Sequence, residues 1–296
     1  MDNKNLTLEQ LDREINYYLR DEKAPEPFFR LHRELFKIGH RYSTQMKNDH
    51  SGIPENHRQL FREGRCLLSE TTLTIDPALF RTILGEIVEA FVSIFPQAEK
   101  LCKIMELPEL SESRLPPLLA GGGLLDSGEL EKLLRAWGWK DEEPVDSLLI
   151  TGLARDALAP FYICFAQAVG ETIDFALWGE GCCPVCGQNP GMAMLDHEGV
   201  RNLECCLCNT NWQFPRLECP FCRNKDPQQL GYFYADDYPG RRVQICERCK
   251  SYLKTAVVKE LGRDVLLNLE EIYTMDLDIL AKREGYRAGR DLAVLR

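Results

Sequence analysis

The chain has 296 residues, of which 44% are hydrophobic and 28% charged, the balance of a soluble globular protein with length enough for two domains. A net charge of −10 argues against a general nucleic-acid or anionic-membrane binder. No apolar run approaches the ~18–20 residues of a membrane span, so no membrane insertion is expected, and the opening MDNKNLTLEQ lacks the pattern of a secretory leader, which gives the expectation of a cytoplasmic protein.

Residues 1–180 read as a helical domain. Thr7 can cap a helix whose face carries Leu8, Leu11, Ile15 and Tyr18 or Leu19. A second helix follows Pro27, with Leu31, Leu35, Ile38, Tyr42 and Met46 three or four apart, and the polar stretch 48–54 is a loop. A short helix ends near Cys66. Asp76-Pro77 marks the clearest helix start, a capping carboxylate before a proline at the first helical position, and Phe80, Ile83, Leu84, Ile87, Val88, Phe91 and Ile94 then make a stripe wide enough for a buried core. Pro116-Pro117 and Gly121 to Gly123 exclude a regular helix over 115–126; with no Gly-Lys-Ser/Thr after them they read as a hinge, not a phosphate loop. Ser127 caps a short helix through Trp137, and an apolar segment from Val145 to Trp178 reads as helix broken near Pro160. Gly179-Glu180-Gly181 sets the boundary.

The pattern then changes. Met192–Leu195 and Val200–Leu203 flank a hairpin turn, and Trp212–Leu217 can add an edge strand. Gln229–Ala235 and Arg242–Ile245 flank a second hairpin, and Tyr252–Lys259 reads as a further strand. Residues 261–296 form a closing strand or loop and a C-terminal helical tail, with Leu277, Leu280 and Tyr286 available for packing.

Four Cys-x-x-Cys pairs lie in this half: Cys183/Cys186, Cys205/Cys208, Cys219/Cys222 and Cys246/Cys249. Each tight turn offers two soft donors, so four pairs make two four-thiolate sites. Thiols in a reducing compartment bind metal rather than form disulfides. Eighteen residues separate the pairs of the first half and 23 those of the second, room in each for its own hairpin. That favours sequential pairing, a first ribbon at 181–212 and a second at 213–260, over an interleaved cross-brace. The donor set accepts zinc or iron, one ion per site. Closed sites of this kind are structural, so no enzyme activity is expected.

The remaining cysteines read as buried small hydrophobes (Cys66, Cys102, Cys164) or as neighbours of ligands whose functional alternatives are substitute ligation or a redox pair (Cys182, Cys206). His32, Asp49 and Glu55 make no catalytic spacing and read as surface groups; His197 sits at a hairpin tip. From 181 to 258 there are nine Lys/Arg against eight Asp/Glu, and Arg216, Arg241, Arg242, Arg248, Lys250 and Lys254 read as a mildly basic solvated face; its alternative is a docking surface for an acidic partner or nucleic acid. Cys-Pro-x-Cys-Gly leaves a rubredoxin-like electron carrier open as a second reading.

The run Cys183-Pro184-Val185-Cys186-Gly187, Arg201-x-Leu203-x-Cys205-x-x-Cys208, Trp212, Arg216, Cys219-x-x-Cys222 and Cys246-x-x-Cys249 with Tyr252-Leu253-Lys254 resembles the FdhE family of formate dehydrogenase accessory proteins. The doubled cysteines at 182–183 and 205–206 depart from that pattern. The resemblance implies an α+β chain, a helical body followed by two tandem rubredoxin-like ribbons, and two metal ions with iron favoured. It implies a cytoplasmic, non-catalytic maturation factor whose partner is the catalytic subunit of a respiratory formate dehydrogenase.

Overall fold

In the computed structural model, the structure describes residues 6–43, 46, 54–71, 73–106 and 145–291. The glycine-rich segment 115–126, the helix expected from Ser127, and most of the 48–54 loop lie outside them. The chain divides into two compact units. One comprises residues 1–26, 50–71 and 166–296; the other comprises 27–49 and 72–165.

In the second unit, helix α2 (Glu26–Ser43) and helix α4 (Pro77–Ile94) follow their sequence signals. The Asp76 carboxylate accepts from the Leu79 amide at 2.8 Å, and Pro77 costs nothing there because the first-turn amides have no helical partner. Phe80, Ile83, Leu84, Ile87 and Val88 are buried. Helix α5 (Val145–Gly170) runs unbroken through Pro160, against the expected break. Proline removes one backbone bond and costs roughly 3 kcal/mol. Leu153, Ala157, Leu158, Phe161 and Val169 are buried along the same helix, and at ~1.5–3 kcal/mol for each large apolar side chain their burial outweighs that cost. Leu149–Gly170 is long and apolar enough to cross a membrane, with a mean hydropathy of 1.3, but 67% of it is buried within the protein, as in a core helix. His32, expected at the surface, is half-buried, and burial pushes its pKa down to about 4. Cys164 is buried as expected, whereas Cys102 is exposed.

In the first unit, helix α1 (Leu8–Tyr18) opens on a capping box, the Thr7 hydroxyl accepting from the Gln10 amide at 3.2 Å and the Gln10 side chain from the Thr7 amide at 2.8 Å. Helix α3 (His57–Arg62) leads into a 3₁₀ turn at Leu67–Ser69. One seven-stranded sheet follows. Strands β1 (Pro190–Leu195), β2 (Arg201–Cys205) and β3 (Asn211–Gln213) form one antiparallel set; β4 (Leu230–Phe233), β5 (Arg241–Cys246) and β6 (Ser251–Val257) form the other. The third strand is shorter than expected and stops before Pro215, whose missing N–H cannot extend a ladder. Strands β1 and β6 pair in parallel, Ala193 opposite Thr255 through Leu195 opposite Val257, so the two ribbons are halves of one sheet in the order β3-β2-β1-β6-β5-β4. All seven residues of β6 are buried, as a central strand requires.

The chain leaves β6 earlier than its pattern suggests, turning into α6 (Val258–Leu261) and then α7 (Leu267–Tyr273) and α8 (Met275–Arg283) where a single helix was expected; β7 (Arg287–Ala288) returns to pair with β6. Val265 and Leu267 pack on Met192 and Ala256 of the sheet. Helix α1 is tied to this C-terminal part by a buried cluster. Arg241 of β5 grips Glu270 of α7 with two bonds at 2.6 and 2.9 Å, and the Tyr18 hydroxyl donates to the same carboxylate at 2.7 Å. Burial works against the Arg241 charge and the Glu270 carboxylate more than offsets it. The Arg241 guanidinium also lies 4.7 Å from the centre of the Tyr273 ring.

Candidate metal centres

Each Cys-x-x-Cys pair folds as a tight knuckle, and the residue after its second cysteine has positive φ in all four: Gly187 (75°), Asn209 (56°), Arg223 (61°) and Lys250 (53°). The left-handed residue turns the chain so that amides converge on the sulfurs. Val185 donates to the Cys183 sulfur and Leu207 to the Cys205 sulfur, both at 3.4 Å. Amides of Phe221 and Cys222 serve Cys219 in the same way. The Gly187 amide bonds the Cys183 carbonyl instead, at 3.0 Å, so the glycine shapes the turn rather than donating to sulfur. A Cβ at Gly187 would also stand 3.0 Å from the Cys66 sulfur. Gly187→Ala therefore loses about 1–2 kcal/mol from the left-handed backbone alone, read as a lower unfolding midpoint; an unchanged midpoint would show that this φ is not enforced.

The knuckles come together in sequential pairs. Cys183, Cys186, Cys205 and Cys208 make one group and Cys219, Cys222, Cys246 and Cys249 the other, with the ligand atoms of each group all within 4.8 Å of one another. Sulfurs in the first stand 3.5 Å (Cys183–Cys208), 3.4 Å (Cys186–Cys205) and 3.6 Å (Cys186–Cys208) apart; in the second, Cys219–Cys249 and Cys222–Cys246 are both 3.7 Å. Four thiolates around one ion at ~2.3 Å lie about 3.8 Å apart in a tetrahedron, so both groups could hold a metal ion.

The protonation chemistry fits too. Burial pushes the Cys186 and Cys205 thiols well above their ordinary value. Burial would raise Cys208 as well, but hydrogen bonds from its three partners and Thr210 bring it well below. In the second group, the Cys219 hydrogen bond leads in lowering Cys249 to about 4, while hydrogen bonding to Cys249 and burial push Cys219 far up. Left to themselves, these clusters keep protons; four thiolates need a cation among them.

The hydroxyl partners are a feature the motif reading passed over. Thr210 lies 3.0 Å from the Cys208 sulfur, and Ser251 lies 2.8 Å from that of Cys249. Each stands two residues past the last cysteine of its ribbon, a repeat visible once Cys208-Asn209-Thr210 is set against Cys249-Lys250-Ser251. Cys66 is different: nothing local announces that segment 66–68 lies along the first knuckle, Leu67 and Leu68 donating to the carbonyls of Pro184 and Val185 at 2.9 and 3.0 Å. Cys182 and Cys206 fall in neither four-thiol group.

The residues around the knuckles hold them in place. Trp212 is buried and its indole donates to the Glu180 carbonyl at 3.2 Å; Trp178 donates to the Cys182 carbonyl at 2.8 Å. Arg201, buried, bonds the carbonyls of Phe214, Pro215 and Glu218 and the Gln244 side chain, so one guanidinium reaches from the first ribbon across the connecting segment to the second. Gly181 packs so tightly on Pro220 that a Cβ there would stand 1.9 Å from its carbonyl oxygen. The expected basic face is largely spent internally. Arg241 pairs with Glu270, Arg242 with Glu260, Lys250 with Glu247, and Lys254, only 2% exposed on its side chain, with Asp278 at 2.7 Å. Burial pushes Lys254 down to about 8. Tyr252 donates to the same Asp278 at 2.7 Å. His197 is exposed at its hairpin tip, 3.7 Å from Asp264.

Comparison with known proteins agrees with this arrangement. Residues 182–216 match the family model described as FdhE, central domain. A protein FdhE homolog of Aquifex aeolicus (strain VF5) is 31% identical over 152 residues, 48% of this chain and 53% of the relative. Protein FdhE of Escherichia coli (strain K12) is 31% identical over 108 residues, covering 35% of this chain and 34% of the relative. The chain thus spans about half, or about a third, of the curated relatives it matches. The crystal structure of the FdhE protein from Pseudomonas aeruginosa superposes with a TM-score of 0.59 over 98% of this chain and 96% of that one, at 18% identity, a likeness of fold. Through its central domain and these homologues, the chain is similar to the FdhE family.

Proposed function

We propose that the protein is a non-catalytic, metal-binding accessory factor that acts in the cytoplasm on the catalytic subunit of a respiratory formate dehydrogenase during its maturation. The observation that carries this reading is the pair of complete four-thiol groups in one continuous sheet, on a chain similar to the FdhE family. The eight cysteines from Cys183 to Cys249 would hold two ions, iron or zinc. Once four thiolates are bound, a tetrahedral ion has no open position, so it supplies folding energy rather than Lewis-acid chemistry. The chain's own residues supply the rest: knuckle amides, Thr210 and Ser251 stabilise thiolate charge, and Trp212 and Trp178 brace the first site.

Deleting the gene is expected to abolish respiratory formate dehydrogenase activity while the enzyme's subunits are still made. Normal activity in the deletion strain would reject the proposal. Elemental analysis and an absorption spectrum of the purified protein identify the ion.

A further inference from the structure

The two thiol groups are not equivalent in their surroundings. All four cysteines of the first are buried, and the segment 66–68 and Trp212 close round it. In the second, Cys222 and Cys249 are only half-buried. The other two, Cys219 and Cys246, line a cavity of about 210 Å³. Leu217 (74% exposed) and Tyr232 (55% exposed) stand at its wall, so it opens to solvent, and Arg216 lines it beside an Arg242 already paired with Glu260. Every cysteine of the second group is therefore either part-exposed or among the residues lining an open groove.

We infer that the second group is an exchangeable metal site, reached by an external thiolate ligand through this groove, while the first is a permanent structural site. The inference rests on the reading of both groups as metal sites. The groove suits a small anionic thiol, because a thiolate is the attacking form and Arg216 in the lining favours its charge. In the exchange, the incoming thiolate makes a bond to the ion as one cysteine's bond to it breaks. The released cysteine sulfur takes up a proton, and no electrons change hands. Among the described residues, the four cysteines of the first group are all buried, with the backbone of 66–68 bonded along its first knuckle.

The test uses the full chain carrying two equivalents of zinc, challenged with a chromophoric chelator at several concentrations of reduced glutathione. Iodoacetamide added at intervals, with peptide mass spectrometry, reports which cysteines have lost their ion. One equivalent is expected to leave about tenfold faster or more, at a rate that rises with glutathione, with Cys219, Cys222, Cys246 and Cys249 alkylated while Cys183, Cys186, Cys205 and Cys208 stay protected. Two equivalents released together, the first group opening before the second, or a fast phase indifferent to glutathione would each overturn this inference alone. A chain unable to hold two equivalents would overturn the two-site reading and this inference with it.

Discussion

Replacing both Cys183 and Cys186 by serine is expected to unfold the first ribbon and to remove one of the two metal equivalents proposed for the chain. Serine keeps the size of the side chain but offers no thiolate, and two donors are too few for a structural site. Apparent binding energies of structural zinc run to about 10–16 kcal/mol, as large as the whole stability of a typical domain at ~5–15 kcal/mol. The strands of the first ribbon are short: β1, β2 and β3 are 6, 5 and 3 residues long. Trp178 and Trp212 report the loss, because their indoles bond to the carbonyls of Cys182 and Glu180 at the entry to this site. Their fluorescence should shift to that of solvated indole while metal content falls by one equivalent. A variant that retained both equivalents would show that Cys183 and Cys186 do not ligate in the grouping seen here.

Glu270→Ala is expected to cost about 3–5 kcal/mol, the usual penalty for removing one partner of a buried ion pair. Glu270 is fully buried and Arg241 nearly so. The substitution strands a guanidinium that has lost both carboxylate bonds and leaves the Tyr18 hydroxyl without its acceptor. Burial and the Glu270 charge push the Tyr18 pKa above its ordinary value, so in the native protein this hydroxyl is the donor of the bond that the substitution removes. Urea unfolding followed by circular dichroism measures the loss. Replacing Arg241 by methionine and Glu270 by leucine together should recover much of it, since an apolar pair no longer carries the desolvation penalty. A single-variant cost below about 1 kcal/mol would mean that the pair behaves as a surface contact.

The two centres were legible in the sequence because a knuckle is four residues of local chemistry and each hairpin lies within its own ribbon. The Asp76-Pro77 start and the Thr7 cap were legible for the same reason, since a cap is satisfied within one turn. What stayed hidden depends on partners far along the chain. Pro160 reads as a break until the apolar burial of α5 is set against one lost bond. The strand expected to run to Lys259 bends into α6 after Val257, where the residues that reward the turn, Val265 and Leu267, are still to come. Cys66 reads as an ordinary core thiol because Gly187, its neighbour in space, lies far along the chain. The basic residues of the second ribbon look like a solvated face because Glu270 and Asp278, which take up Arg241 and Lys254, lie in the C-terminal helices.

The parallel junction between β1 and β6 also governs how the protein can be made. As the chain leaves the ribosome, β1 to β3 emerge as a self-contained hairpin set with all four of their cysteines, so the first centre can assemble while synthesis continues. The middle of the sheet cannot close until β6, the sixth strand to emerge, slots in beside β1. Helix α1 waits as well: its Tyr18 is translated 252 positions ahead of Glu270, the carboxylate it bonds. Contacts of such separation form slowly because the loop between them must be ordered first. A newborn chain therefore passes through a stage in which the first knuckles can already be set while helix α1 still has no Glu270 carboxylate to hold.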